Sequence, residues 1–205
     1  MSTVSSLLDA AKYDLRDYGA KEFDPTQMVH YLNRCIKILD RALIALQSDQ
    51  TLTESDLVVA SGANSATVPT ASVNIREIWD SDDTIMVKVS ARNLYELRMY
   101  KSGDTSQPRN WSHIKEKIEF DVTTDQEYTF TCYHDGMSTT VVVAGDMPYS
   151  GRYDEYLREA LIMMAQAKKH KKLPQTDAVY LQMFTANLQQ DIINRNFVPK
   201  KRLGF

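Results

Sequence analysis

The sequence DPTQMVHYLNRCIKILDRALIAL, from Asp24 to Leu46, holds the longest helical pattern in the chain. Asp24 is a favourable N-cap residue, and Pro25 suits the first helical turn. Apolar residues then recur every three or four positions, which places them on one face of an α-helix. They are Met28, Leu32, Cys35, Ile36, Leu39, Leu43 and Leu46. The pattern predicts an amphipathic helix of about six turns, whose apolar face needs a partner.

A shorter helical pattern precedes this helix. Thr3 is a candidate N-cap, and Gly19 stands after the last helical residue as a stop. The apolar positions are Val4, Leu7, Leu8, Ala11 and Leu15. Because only a few residues separate the two helices, we expect them to pack as neighbours, either as a hairpin or at an angle.

Helical periodicity returns in the last third of the chain, after a turn at 145–148. The apolar positions there are Tyr153, Tyr156, Leu157, Ala160, Leu161, Met164 and Ala167. Leu173 and Pro174 end this helix, and a last helix is predicted over about 176–194. Helices at the two ends of the chain cannot each bury an apolar face alone. We therefore predict an α+β fold in which N-terminal and C-terminal helix pairs form one helical bundle.

The middle of the chain has the composition and the alternation of β-strands. Candidate strands are Leu57–Ala60, Val73–Trp79, Thr84–Val89, His113–Phe120, Glu127–His134 and Thr139–Ala144. Asp135 and Gly136 predict a hairpin turn between the last two strands. A short helical pattern from Ser90, a candidate cap, to Tyr100 interrupts the strands. This region is predicted to be a β-rich insert between the helix pairs.

The expected domain organisation follows from these patterns. Residues 1–50 form the N-terminal helix pair, 51–150 the β-rich insert, 151–195 the C-terminal helix pair of the same bundle, and 196–205 a tail. A chain of 205 residues with 43% hydrophobic residues buries roughly 70% of its unfolded surface, so its core needs neither disulfides nor a structural metal.

The two cysteines and the apolar runs indicate where the chain is made. Cys35 and Cys132 lie on different elements with no paired spacing, which favours free thiols in a reducing compartment. The apolar runs are far shorter than the roughly 18 residues of a membrane span. The N-terminus lacks a basic patch followed by an apolar stretch. We expect a protein of cytoplasmic origin with no membrane partner.

Charge is divided unevenly along the chain. Residues 1–151 carry a net charge of -8 and residues 152–205 a net charge of +5, within a total of -3. This division favours association between copies, or contact of the basic end with an acidic partner. Solvated helix faces of uneven composition explain it equally well.

The sequence offers little for catalysis. The four histidines are scattered, and Cys132 and His134, which share a strand face, lack further ligands for a metal. There is no glycine-rich phosphate loop and no nucleophile elbow. The carboxylates Asp80, Asp82 and Asp83 fall between strands, where aspartate favours solvated turns. We expect no enzyme activity and no catalytic, cofactor or metal site.

The C-terminal tail combines basic and apolar residues in a way that a solvating tail would not. The residues concerned are Phe197, Val198, Pro199, Lys200, Lys201, Arg202, Leu203 and Phe205. We interpret them as a docking segment that becomes ordered on a partner. The earlier basic run 168–172 ends a helix, where cations complement the helix dipole, so that run needs no partner to explain it.

The order of elements resembles the head-to-tail adaptor, or connector, proteins of tailed bacteriophages. The residues that carry the resemblance are Leu7, Leu8, Ala11, Leu15, Gly19, Asp24, Pro25, Leu32, Asn33, Leu39, Ile75–Trp79, Leu94 and Tyr153–Leu157. The likeness is one of layout and spans nearly the whole chain.

The resemblance implies a non-enzymatic structural role in the virion neck, after synthesis in the host cytoplasm. Such a protein forms an oligomeric ring, commonly a dodecamer, beneath the portal protein ring, and it extends the DNA channel and docks a tail or nozzle protein. The tail from Phe197 to Phe205 would bind the portal. Contact with passing DNA would be transient, because an acidic body repels phosphate.

Two other classes of function stay open. The first is a nucleic-acid-binding or packaging accessory protein that uses the basic C-terminal part. The chain's pI of about 5.8 counts against it. The second is a hydrolase that works through paired carboxylates, which would require one carboxyl group to be buried with a raised pKa.

Overall fold

The structure is a computed structural model that describes residues 2–17, 22–169, 186–187 and 189–190. The chain divides into two compact units. We call residues 1–50 with 138–205 the helical unit and Thr51–Met137 the β unit. Each unit has an apolar core of its own.

The elements are α1 (Val4–Asp14), α2 (Pro25–Ala45), β1 (Leu52–Val59), β2 (Ser65–Thr67), β3 (Ser72–Trp79), β4 (Val87–Lys88), α3 (Ala91–Tyr100), β5 (Asn110–Ile114), β6 (Lys117–Phe120), β7 (Tyr128–Gly136) and α4 (Asp154–Lys169). Short 3₁₀ turns lie at Asp49–Thr51 and Pro148–Gly151.

The predicted starts of the first two helices are confirmed. The Thr3 hydroxyl accepts the backbone N–H of Ser6 at the start of α1. The Asp24 carboxylate accepts the N–H of Thr26 at 2.9 Å at the start of α2, where Pro25 is the first helical residue. These caps satisfy N–H groups that a helix start otherwise leaves without partners. The stop predicted at Gly19 lies outside the described residues.

One apolar cluster forms the core of the helical unit. It contains the buried faces of α1, α2 and α4 and also two residues outside the helices, Val141 and Met147. The largest helical contributions are Leu8, Met28, Leu32, Ile36, Leu39 and Leu43, each at most 2% exposed. The apolar faces read from the sequence are therefore the ones that are buried.

The predicted bundle of N-terminal and C-terminal helix pairs is wrong. Among the described residues, α1 and α2 contact each other least and both pack mainly on α4. A further helix, α3, lies within the β unit. The helix predicted over 176–194 falls almost wholly outside the described residues. The described chain is instead an α+β fold with four helices, two sheets and a central β-rich region, because apolar non-helical residues complete the helical core.

Two sheets make up the β unit. One has the strand order β1-β7-β3 and is antiparallel, and the other has the order β2-β6-β5-β4, in which β4 and β5 run parallel. The two sheets share one core, formed by Leu57, Val59, Ile75, Ile78, Met86, Trp111, Ile118, Phe120, Phe130 and Cys132. Side chains on the inner faces of both sheets thus meet in this core.

The hairpin predicted at Asp135 and Gly136 is also wrong. Strand β7 continues through Gly136 and pairs with β1 on one side and β3 on the other. Residues 139–144 form no strand. The local turn signal is overridden because the Asp135 side chain is fully buried and bonded to Arg76 of β3, which a solvent-exposed turn would not allow.

Several other strand boundaries differ from expectation. β1 begins at Leu52, and only its end falls in the predicted range. The predicted strand 113–120 is two strands separated by a turn, where Lys115 has a left-handed φ of 57°. Of the predicted strand 84–89, only β4 is a strand. β3 and α3 lie where the pattern predicted them, and the hydroxyl of Ser90 caps α3 as expected.

Candidate functional site

The docking residues predicted in the tail, from Phe197 to Phe205, lie outside the described residues. The structure therefore neither brings them together nor separates them. The candidate interaction surfaces of this protein are found among the described residues, where three features stand out: a clamp in the helical unit, an exposed helix, and an acidic sheet face.

The clamp consists of Asp40, Ser138 and Tyr149, and it fixes residues 138–149, the segment that leads into α4. Asp40, on α2 and fully buried, accepts hydrogen bonds from the backbone N–H and the hydroxyl of Ser138, both at 2.9 Å. It also accepts the hydroxyl of Tyr149 at 2.6 Å. Burial, together with the adjacent carboxylate, raises the pKa of Tyr149 above its ordinary value, so this hydroxyl remains a donor. The segment is thereby anchored to α2 at both of its ends.

A second pair of hydrogen bonds holds the middle of the same segment. The Asn33 amide donates to the Val141 carbonyl at 3.0 Å, and its oxygen accepts the Val141 N–H at 2.8 Å. The side chain thus imitates a neighbouring strand and satisfies one residue's backbone completely. This explains how an apolar, strand-like sequence can lie beside a helix without leaving buried polar groups unpaired.

A left-handed turn follows the clamp and starts α4. Tyr149, Ser150 and Gly151 have φ values of 58°, 53° and 77°. At Gly151 a Cβ atom would lie 2.9 Å from the Ser2 Cβ and 3.0 Å from a carboxylate oxygen of Asp154. Glycine is required there for its backbone freedom and its lack of a side chain.

Two buried carboxylates fix the β unit. Asp135 receives bonds from the Arg76 guanidinium, the shortest at 2.6 Å, and from the Thr51 hydroxyl at 2.8 Å. Asp121 receives the Lys101 ammonium at 2.7 Å and the Asn110 amide at 2.8 Å. Burial alone would raise each pKa, but these donors outweigh it and lower the pKa of both carboxyl groups. Both side chains are therefore charged anchors within the β unit.

Helix α3 is the exposed helix. Only Leu94 is buried, and Arg98 fixes the helix by donating to the Phe120 carbonyl at 2.6 Å and to Glu119 at 2.8 Å. On the remaining surface, Met99 is 80% exposed and Tyr100 is 91% exposed. These two neighbouring side chains leave apolar and aromatic surface of α3 in contact with solvent.

The outer face of the β1-β7-β3 sheet is acidic. Register places Glu54, Tyr133 and Glu77 in one row. The next row holds Asp56, Thr131 and Trp79. The rings of Trp79 and Tyr133 meet edge to face at 6.1 Å, and the Trp79 indole donates to Glu77 at 2.9 Å. We call Glu54, Asp56 and Glu77 the acidic face.

The two candidate metal ligands of the sequence, Cys132 and His134, share one face of β7. Cys132 and His134 both lie buried on the inner side of β7, and the His134 ring bonds to the Ser55 hydroxyl at 2.9 Å. Burial raises the pKa of Cys132 to about 11, so its thiol stays protonated at neutral pH. No group of three metal-ligating side chains occurs among the residues that the structure describes. Both cysteines are free and buried, as expected.

The Asp80 carboxylate serves a turn, as predicted. One of its oxygens accepts the backbone N–H groups of Asp82 and Thr84, at 3.0 and 2.9 Å. This is the local hydrogen bonding that favours aspartate between strands.

Within the described part of the chain, no helix combines the length and the apolar content that crossing a membrane requires.

Comparison with known proteins bears on what these surfaces serve. No curated protein matches the chain. The model of one family, described as SU10 adaptor protein, matches residues 2–199, which is nearly the whole chain. The match covers both units and stops just before the basic residues of the tail. It confirms the resemblance to phage adaptors that the layout of the sequence indicated. The chain belongs to the SU10 adaptor protein family and is a phage structural adaptor protein.

Proposed function

We propose that this protein is a head-to-tail adaptor that assembles as an oligomeric ring, dodecameric on the portal, in the virion neck. The ring would sit beneath the portal protein, extend the DNA channel and dock a tail or nozzle protein. The observation that carries the proposal is the family match over residues 2–199. Synthesis in the host cytoplasm and assembly onto the finished head would follow from this role.

Charge supports a channel that lets DNA pass. Residues 1–151 carry a net charge of -8. Carboxylates repel the phosphates of DNA, so contact with a passing duplex would be brief. A protein that retained DNA would need a surface of lysine and arginine instead.

The tail is the proposed portal contact. Phe197, Leu203 and Phe205 would enter apolar grooves, and the basic run 200–202 would meet an acidic rim. A proline such as Pro199 disfavours a continuous helix through the segment. Residues 152–205 carry a net charge of +5, which complements an acidic partner surface.

Mixing the purified protein with portal rings tests the proposal directly. We expect a stoichiometric complex, measured as a mass increase by native mass spectrometry or light scattering. The alternative is a nucleic-acid-binding or packaging accessory protein. It would be favoured if the protein does not bind portal rings and instead comigrates with duplex DNA at physiological salt. The positive charge of residues 152–205 is the observation behind that alternative.

Tail variants separate docking from folding. Removing residues 197–205 should leave the unfolding transition unchanged and weaken portal binding. The changes Phe197→Ala and Phe205→Ala should each weaken it more than the matched control Lys201→Gln, because buried aromatic anchors dominate interfaces. Equal portal binding by the truncated and the full chain would refute the docking tail.

A further inference from the structure

The two edges of the β1-β7-β3 sheet are treated differently by the fold. On the outer side of β3, the Met86 N–H donates to the Ile78 carbonyl at 2.9 Å and the Lys88 ammonium donates to the Ile75 carbonyl at 3.0 Å. The pairing of β3 with β7 also contains two register shifts. This edge is covered and irregular, which are two ways in which proteins prevent further strand pairing.

The free edge of β1, which we call the open edge, contacts β2 and carries two exposed acids, but it has no register shift and no hydrogen-bonded cover among the described residues. β1 pairs with β7 over all eight residues, Leu52–Val59, without a register shift. It contains no proline. Among the described residues, no hydrogen bond joins the backbone of its outer side to another element. Within the described part of the chain, a row of N–H and C=O groups on β1 is therefore left for another extended chain.

The side chains of β1 define which strand would fit. On the outer face, Leu52 and Val58 are 39% and 53% exposed and flank the exposed acids Glu54 and Asp56. Neither acid forms an ion pair with a described residue. A strand added here would place two alternate side chains opposite these carboxylates, where cations stabilise the pair and anions destabilise it.

Charge argues against a second copy of β1 as the occupant. In an antiparallel pair of two β1 strands centred on Ser55, Glu54 of each copy would lie opposite Asp56 of the other. Like charges directly opposite each other destabilise strand pairs. The other described edge strands, β2, β3 and β4, carry at most one basic residue each, namely Arg76 and Lys88. None of these described strands offers two alternate cations. In the tail, Lys200 and Arg202 do alternate, so a tail peptide is the competing occupant in the test below.

We infer that the open edge of β1 is a strand-addition site for an extended segment of a different protein, with lysine or arginine at two alternate positions opposite Glu54 and Asp56. Backbone hydrogen bonds to β1 provide the attachment, and the two ion pairs select the segment. The acidic face excludes nucleic acid from the same position. The inference stands apart from portal docking, which rests on the tail.

Synthetic peptides test this on the full chain. The probe is a capped peptide Val-Thr-Lys-Thr-Lys-Thr-Val-Thr, and its charge-reversed control has glutamate in place of lysine. At a free concentration ten times its dissociation constant, the lysine peptide should slow backbone hydrogen exchange in β1 about tenfold. The glutamate peptide should not. A lysine peptide N-methylated at alternate amides, which keeps the charges and loses the backbone donors, should also fail.

Charge reversal on the protein provides the matched test. Glu54→Lys with Asp56→Lys should transfer the protection of β1 from the lysine to the glutamate peptide. The control Asp82→Lys with Glu116→Lys, at exposed sites off this sheet, should change nothing. Protection by neither peptide, equal protection by both, or protection that survives N-methylation would overturn the inference. Stronger protection by a peptide of residues 195–205 would also overturn it, by assigning the edge to another copy. Tail variants in the portal assay are unaffected by any of these results.

Discussion

Two buried carboxylates, one in each unit, are held by different kinds of hydrogen-bond donor. Asp40 of the helical unit is held by neutral donors, the backbone and hydroxyl of Ser138 and the Tyr149 hydroxyl. Asp135 of the β unit is held by the Arg76 guanidinium. Asp40 can lose one of several similar neutral donors, whereas Asp135 without Arg76 keeps the neutral donors Thr51 and Asn74 but becomes a buried charge with no cation. Loss of one partner should therefore lower the free energy of unfolding less for Asp40 in the helical unit than for Asp135 in the β unit.

The largest expected effect comes from deleting residues 138–150, which tests whether this segment belongs to the core of the helical unit. Replacing residues 51–137 by a flexible linker should leave a helical circular dichroism signal with a cooperative thermal transition. Extending the deletion through Ser150 removes Val141, Met147 and the donors to Asp40, so the cooperative transition should disappear. If both deletions unfold alike, the segment 138–150 does not belong to the helical core. If the β unit makes the contacts between copies, neither deletion should form rings.

The second largest effect is expected from removing Arg76, the cation that pairs with Asp135. Arg76→Met should lower the free energy of unfolding by about 3–5 kcal/mol, because Asp135 would stay buried without its charged partner. Urea denaturation measures the change. The control Arg92→Met breaks an ion pair with Glu96 that is exposed on α3, and its effect should stay within about 0.5 kcal/mol. A loss of the same small size in Arg76→Met would show that Asp135 tolerates isolation.

Removing one neutral donor should cost less. Tyr149→Phe deletes the hydroxyl that bonds to Asp40 and leaves both bonds from Ser138, so we expect a loss of about 1–3 kcal/mol. Tyr95→Phe, at a half-exposed position on α3, is the matched control and should be neutral. A loss for Tyr149→Phe as large as that for Arg76→Met would show that the neutral partner of Asp40 and the charged partner of Asp135 contribute equally to stability.

The smallest expected effect concerns how the free energy of unfolding depends on pH in acidic solution. The folded-state pKa values of Asp121 and Asp135 lie below their ordinary values, so their stabilisation is full above about pH 4 and is lost as the pH falls through the folded values. Each such group steepens the acid limb by at most about 1.4 kcal/mol per pH unit. Asp121→Asn should flatten that limb, and Asp56→Asn, at an exposed site, should not. An unchanged limb in Asp121→Asn would contradict the assignment.

Local chemistry predicted the parts of this fold that local chemistry determines. Thr3, Asp24 and Ser90 cap the helices for which their side chains suit them. The spacing of Cys132 and His134 also placed the two on one face of β7, where both are buried. In each of these cases the deciding contact is within a few residues in sequence, so a single segment contains the information.

Distant partners explain the parts that were missed. Asp135 looks like a turn residue until Arg76 is placed beside it, and residues 139–144 look like a strand until Asn33 satisfies Val141. The first half of β1 was missed because Thr53 and Ser55, which share a side of the strand with the buried Leu57 and Val59, are polar, so no apolar alternation marks this part. The carboxylates Glu54 and Asp56, at alternate positions of the same strand, were the available signal for the candidate strand-addition site. The proposed docking residues of the tail await their own test.

The discontinuity of the helical unit sets an order of events during synthesis. The β unit is continuous in sequence and can fold as soon as it leaves the ribosome, but α2 is made before it and must wait for α4. At about 5–20 residues per second, the roughly 110 residues between them take on the order of 5–20 s to make. Throughout that delay Leu32, Leu39 and Leu43 lack the surface they finally bury against. The nascent chain is therefore a natural client for a chaperone during this interval, and slow codons after α2 would lower the yield of folded protein.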